Sequence, residues 1–237
     1  MKLLVLTCDR LESLKIVIEK AKEVFPITKI YIYVDKFYDS ESNLKQKELL
    51  KFVKTVENSE VKVSKENKGC SASMKLALDW IGETEDEFLV LEDDIQVKSE
   101  AFSYFEKLEI DRTKPFLIRF GEYFWGWYAN KLVIEAIKTF DLLNISDELY
   151  VEKFQEKRIF KHLNHFKMEK EAIRRRINTA WDREFSVTSL FLEIATFMPE
   201  NPLTRTIDVD STRLRRNKVK GVEFESGKIV MINGVIQ

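Results

Sequence analysis

Cysteine and histidine are almost missing from this chain. Cys8, Cys70, His162 and His165 are all that it holds in 237 residues. Two cysteines cannot build a disulfide framework or a zinc cluster, and their scarcity suits a reducing cytoplasm. His162 and His165 stand three apart with no second ligand pair near them, which argues against a metal centre there. With 7 glycines and 4 prolines, the chain has no Pro-rich or Ser-rich tract to act as a linker, so one domain over residues 1–237 is expected. An excess of one charge is also lacking: Lys and Arg number 39 against 40 Asp and Glu, a net charge of -1. So balanced a chain has no global field to draw in duplex nucleic acid. Long hydrophobic runs are missing as well. The apolar stretch after Lys2 stops at Thr7, Cys8 and Asp9, too short for a signal peptide, and no later stretch reaches membrane-spanning length. A cytoplasmic location is the expectation, with any membrane met from its inner surface.

What the chain does have is FLVLEDDIQV, Phe88 to Val97. Four apolar residues that read as a buried strand run into three consecutive carboxylates, Glu92, Asp93 and Asp94. In open α/β sheets ligands sit outside the carboxyl ends of the strands, and adjacent carboxylates repel unless a cation or several donors compensate them. A divalent metal would do so; a solvated acidic turn is the alternative this stretch leaves open.

The surroundings have a βα rhythm. Lys2 to Thr7 reads as a strand, followed by the helical apolar positions Leu11, Leu14, Val17, Ile18, Ala21 and Val24. KIYIYVD, ending on Asp35, reads as a second strand, and Leu44 to Val53 as a second helix. VKVS at 61–64, the loop ENKGCSAS with Asn67 and Gly69, and a helix from about Ser73 to Ile81 precede the acidic strand. In that loop Gly permits a tight turn whose backbone N–H groups can approach an anion, although Asn-Lys-Gly is more often an ordinary turn. The loop lacks the glycine pattern of a P-loop or a dinucleotide fingerprint. Strands alternating with helices predict a mostly parallel sheet flanked by helices.

Downstream, Ala101 to Leu108 reads as a helix and Phe116 to Phe120 as a strand. The run Tyr123, Phe124, Trp125, Gly126, Trp127, Tyr128 serves either as core or as a platform for sugar rings. From about 141 to 178 a charged helical excursion carries the basic clusters Lys157-Arg158 and Arg174-Arg175-Arg176. It reads as a solvated face, with peripheral contact to lipid headgroups left open. TAWDREF then opens a helix running to about Phe197, and a terminal hairpin is expected around Ser226-Gly227.

Taken in order, these motifs resemble the metal-dependent GT-A glycosyltransferases, in the branch of N-acetylglucosaminyltransferase I and related bacterial polysaccharide enzymes. Cys8-Asp9-Arg10 is similar to that family's first nucleotide-sugar motif, the YVD ending at Asp35 to its second, and Asn67 to Ser71 to the loop before its donor-binding helix. LEDDIQVKSEAFSYF resembles its EDD segment, Trp125-Gly126-Trp127 its aromatic stretch, and Ala180-Trp181-Asp182 its WD. Met198-Pro199 to Arg205-Thr206 resembles the proline segment leading to a closing loop. Where bacterial relatives read Asn-Ile-Gly, however, this chain has Arg205-Thr206-Ile207-Asp208.

The resemblance implies a GT-A fold and an inverting transfer of sugar from a nucleotide-diphosphate donor, UDP favoured, to a hydroxyl of a glycan or lipid-linked saccharide. It implies Mn²⁺ or Mg²⁺ on Asp94, with phosphate oxygens and water completing the shell. Asp93 would meet the ribose, Glu92 the donor sugar, Arg10 the nucleotide and Asp35 its base or ribose. Asn67, Gly69, Trp127 and Arg205 would line the donor site, and Asp182 would be the general base. A sugar nucleotidyltransferase shares such a sheet but normally has a glycine-rich N-terminal loop, absent from Thr7 to Arg10. A non-catalytic nucleotide-sugar-binding protein is the other alternative.

Overall fold

In the computed structural model the described residues are 1–36, 40–121, 124–140, 144–154, 167, 171 and 181–207. Tyr123, His162, His165, both basic clusters, Ala180, Asp208 and the expected hairpin at Ser226-Gly227 lie outside them. Of the 141–178 excursion they include α6 (Asp147–Phe154).

The sheet grows from three apolar runs that alternate between its two faces. In β1 (Lys2–Thr7), Leu3 and Val5 join one core cluster while Leu4 and Leu6 join the other. A strand buried on both faces has no polar side, which explains the unbroken LLVL. The first cluster is closed by α1 (Leu11–Val24) through Leu14, Val17, Ile18 and Ala21, with β2 (Lys29–Val34) and α2 (Ser40–Val53) adding Ile30, Ile32, Leu49 and Val53. The second is closed by α3 (Gly69–Gly82), which contributes Met74, Ala77, Leu78 and Ile81 against Tyr31 and Tyr33. Each such side chain contributes about 1.5–3 kcal/mol on full burial.

The remaining elements are β3 (Ser59–Val63), β4 (Glu87–Glu92), β5 (Ile95–Val97), α4 (Glu100–Glu106), β6 (Phe116–Arg119), β7 (Trp127–Asn130), α5 (Lys131–Thr139), α7 (Trp181–Phe191), β8 (Ala195–Phe197) and β9 (Thr204–Thr206). Seven strands form one sheet in the order β3-β2-β1-β4-β7-β6-β8, and β5 pairs with β9 apart from it. Every neighbouring pair in the large sheet is parallel except those that β7 makes with β4 and β6. This mostly parallel, helix-flanked sheet with one reversed strand is the GT-A fold. Chain order reverses direction between β1 and β4, so the crevice at their carboxyl ends is the sheet's switch point, where such folds hold ligands.

Two expectations are corrected by the structure, and one element is new. The helix expected from Ser73 begins at Gly69, because backbone donors of the preceding loop find a carboxylate there. The helix expected to reach Phe197 ends at Phe191, and Ala195–Phe197 is a strand beside β6. Glu193 turns the chain with φ 53, a left-handed stop without the usual glycine. Finally, part of the aromatic run is itself a strand, β7. Among the described residues, no helix is long and apolar enough to cross a membrane.

Candidate active site

Asp93 is the centre from which the site is built. It follows β4, its backbone N–H donates to the Leu6 carbonyl at 3.0 Å, and its carboxylate is buried between the ends of β1 and β4. Thr7 Oγ1 donates to Asp93 Oδ2 at 2.7 Å, the Cys8 N–H reaches the same oxygen at 3.4 Å, and Arg10 Nη1 reaches Oδ1 at 3.1 Å. Burial raises this carboxyl to about 6, although Arg10 and Thr7 pull it down. Asp93 thus braces two strand ends, and a ribose hydroxyl would be an additional donor to a carboxylate that already accepts three.

Asp94 is more open, and its carboxylate takes a second contact from the same Arg10 Nη1. Its carbonyl accepts the Ile207 N–H at 2.7 Å. Glu92 ends β4 beside both aspartates. Burial first, then the charges of Asp94, Asp93 and Asp182, push its carboxyl up to about 8. Asp182, in the first turn of α7, is therefore within electrostatic reach of the acidic strand end. The thiol of Cys70, a residue exposed at the start of α3, is raised by local desolvation and by the charges of Glu92, Asp182, Asp93 and Asp94. Among the described residues, Arg10 is in contact with two of these four carboxylates, Asp93 and Asp94.

Asp35 does local work. Its Oδ1 accepts the Lys36 and Lys68 N–H groups and its Oδ2 the Gly69 N–H, all at 3.0 Å. It therefore holds the 67–69 loop and the first turn of α3. Asn67 locks the loop further, donating from Nδ2 to the Lys36 carbonyl at 2.5 Å and accepting the Gly69 N–H at 3.0 Å. Gly69 itself has φ 74, a conformation that favours glycine.

Trp127 is not where the resemblance placed it. Its side chain is 0% exposed, with the ring packed against Phe124, Trp181 and Phe185, so it is core beneath the site and not a donor contact. Trp125, two residues earlier and 41% exposed, is open to solvent, unlike the other described rings of that run. Gly126 between them has φ 82, and a Cβ there would stand 2.9 Å from Thr204 Cγ2 and 3.1 Å from Leu91 Cδ2. Its role is close packing of β9 over β4. Arg205 lies on β9, exposed, with its Nε donating to Gln96 Oε1 at 2.7 Å on the paired β5.

The structure thus brings Arg10, Glu92, Asp93, Asp94 and Asp182 together. Asp35, Asn67 and Gly69 form the adjoining loop support, and Arg205 lies on the small outer sheet. Three contributors escaped sequence reasoning. Thr7 had no signal beyond its place at a strand end. Gln46 donates to the carbonyls of Asp35 at 2.7 Å and Cys8 at 3.2 Å; a buried glutamine amid helical apolar positions was its signal. Ile207 had none.

Among the described residues, no group of three or more His, Cys, Asp or Glu is arranged to hold a metal ion by itself. The donor set nonetheless fits a hard cation: it is all carboxylate oxygen, excess in negative charge, with Asp94 at its open side.

No protein-family profile matches the chain, and no curated protein matches it. Solved structures do, distantly. A galactosyltransferase, LgtC, in complex with donor and acceptor sugar analogues is 14% identical, with 80% of this chain and 70% of that one covered and a TM-score of 0.40. A mannosyltransferase from Pyrobaculum calidifontis in complex with GDP-Man and Mn²⁺ is 10% identical over 59% of this chain and 47% of that one, TM-score 0.44. A putative glucose-1-phosphate thymidylyltransferase from Bacillus anthracis is 16% identical over 60% and 76%, TM-score 0.39. The strand order, not these likenesses, carries the fold.

Proposed function

We propose that this protein is a metal-dependent, inverting glycosyltransferase. It moves a sugar from a nucleotide-diphosphate donor, UDP-linked by resemblance, to a hydroxyl of a glycan or lipid-linked saccharide on the cytoplasmic side. The observation that carries this reading is the convergence of Asp182, from the start of α7, upon the Glu92-Asp93-Asp94 strand end at the switch point of the sheet. Two carboxylate functions from separate elements face one crevice, one to hold a cation and one to take a proton.

Asp94 would hold the divalent cation. When bound, Mn²⁺ or Mg²⁺ supplies Lewis-acid stabilisation to the departing diphosphate. Arg10 supplies charge-assisted hydrogen bonds to the nucleotide part. Asp93, braced by Thr7 and Cys8, fixes where Arg10 and Asp94 stand. Glu92 orients the donor sugar. Asp182 accepts the acceptor hydroxyl's proton as that oxygen attacks the anomeric carbon, giving inversion. Asp35, Asn67 and Gly69 keep the loop beside the nucleotide in one shape.

Donor hydrolysis and transfer with a panel of nucleotide sugars plus Mn²⁺ test the reading. Release of nucleoside diphosphate with sugar transfer is expected. Formation of a nucleotide sugar from a sugar phosphate and a nucleoside triphosphate would make the protein a nucleotidyltransferase. Binding without turnover would make it a binding protein.

A further inference from the structure

Arg10 leaves β1 at the mouth of the crevice, and one nitrogen of its guanidinium, Nη1, meets both Asp93 Oδ1 and Asp94 Oδ2. The two carboxylates differ in their other partners. Asp93 is also held by Thr7 and the Cys8 N–H, whereas the side-chain contact shown for Asp94 is the one with Arg10. The position that neutralises Asp94 is therefore filled by a side chain shared with Asp93, which has other donors of its own. Asp182 adds its charge toward the same strand end.

We infer that Arg10 is a resident stand-in for the metal: it occupies Asp94 in the free protein, yields it to the divalent cation, and is then taken up by the donor's diphosphate. This rests on the reading that Asp94 holds the metal. A guanidinium and a divalent cation cannot share the same carboxylate face without repulsion, so cation binding must displace or weaken the Arg10–Asp94 contact. The freed guanidinium retains its link to Asp93, which keeps it at the crevice. An anion of two phosphates offers it the forked oxygen pattern that arginine prefers. Cation and nucleotide then reinforce each other by more than direct bridging provides, and the coupling is reciprocal. Without donor, Arg10 also keeps the acidic end from holding metal tightly, so the loaded cation comes with its nucleotide.

The test measures Mn²⁺ binding to the full chain, from the loss of the free-ion EPR signal, for wild type, Arg10→Gln and Arg10→Lys. Without nucleotide, Arg10→Gln should bind Mn²⁺ at least tenfold more tightly than wild type. Arg10→Lys, which keeps a positive charge for the same carboxylates, should stay nearer wild type than Arg10→Gln does. UDP should strengthen Mn²⁺ binding by a factor at least tenfold larger in wild type than in Arg10→Gln. If Arg10→Gln is unfolded without metal, Mn²⁺ should restore its folded circular-dichroism signal, and failure to do so overturns the inference. Equal or weaker Mn²⁺ binding by Arg10→Gln overturns it while leaving the metal reading intact, as does Mn²⁺ binding that appears in all three proteins only with UDP. Absence of Mn²⁺ binding by all three proteins even with UDP overturns the metal reading and this inference together.

Discussion

Thr7 and Asp93 lie 86 positions apart in the chain, yet the threonine hydroxyl donates to the aspartate carboxylate across 2.7 Å. The bond joins the ends of β1 and β4 and supplies one of three donors to a buried charge. Thr7→Val keeps the shape and removes the donor. It should destabilise the protein by about 1–3 kcal/mol, read from urea unfolding, because a buried acceptor loses its partner. An unchanged midpoint would show that Arg10 and Cys8 alone satisfy Asp93.

Stability should fall as pH rises from about 4 to 8. Glu92 and Asp93 rise from ordinary values of 4.5 and 3.8 to about 8 and 6 in the folded chain, chiefly through burial. Within that window the native state keeps protons that the unfolded chain has released, so each group disfavours folding by up to about 1.4 kcal/mol per pH unit. Below about 4 both states are protonated and the penalty vanishes. Metal-free thermal melts should show this slope, and Glu92→Gln should flatten its upper part. A flat profile between about pH 6 and 8 would place Glu92 in a solvated, ordinary environment.

Asp182→Asn keeps the size of the side chain and removes its basicity. Sugar transfer should drop by about 10²–10⁴-fold while the nucleotide-sugar dissociation constant changes little. Near-normal transfer by this variant would assign the proton to another group.

Gly126→Ala adds a methyl where φ is 82 and Thr204 Cγ2 is 2.9 Å away. Backbone strain and overpacking together should cost about 1–3 kcal/mol, visible as a lower melting temperature. Hydrogen exchange should accelerate at the β5–β9 ladder before it does in β1 or β4.

Cys70 should be a slow thiol. Pushed to about 12, it is almost wholly protonated at pH 8, and iodoacetamide should modify it far more slowly than an unperturbed cysteine. Mn²⁺ at the acidic strand end should speed the reaction by offsetting the carboxylate charge. Mass spectrometry separates Cys70 from Cys8.

The parts of the fold legible in the sequence were those whose signal is local. LLVL and FLVLE read as strands because each is buried on both faces, so no polar alternation is needed to identify them. The acidic end of β4 stood out because three acids directly follow an apolar run. Trp127 was misread because an aromatic run looks the same whether its rings meet a ligand or each other; only the packing of Phe124, Trp181 and Phe185 around it decides. The end of α7 was hidden for a different reason. Leu190, Phe191, Leu192 and Ile194 continue an apolar pattern through Glu193, whose left-handed turn lets the Ile194 N–H bond back to the Ser189 carbonyl at 3.0 Å with no glycine to announce it. Asp35 was visible as an acid at a strand end. That its oxygens are spent on the Lys68 and Gly69 N–H groups depends on a loop more than thirty residues downstream, which no local pattern encodes.

The reversal of β7 bears on how such a protein can diversify. Because β7 runs against its neighbours, its first residue, Trp127, pairs with Val90 and Arg119 near the carboxyl ends of β4 and β6. The link from β6 to β7 thus leaves and rejoins the sheet at the same rim. Residues added to that link would enlarge the rim without changing strand register or disturbing a helix, since loops absorb length changes that elements cannot. A lineage seeking a new ligand therefore has a place to lengthen its chain that leaves the acidic end of β4 untouched.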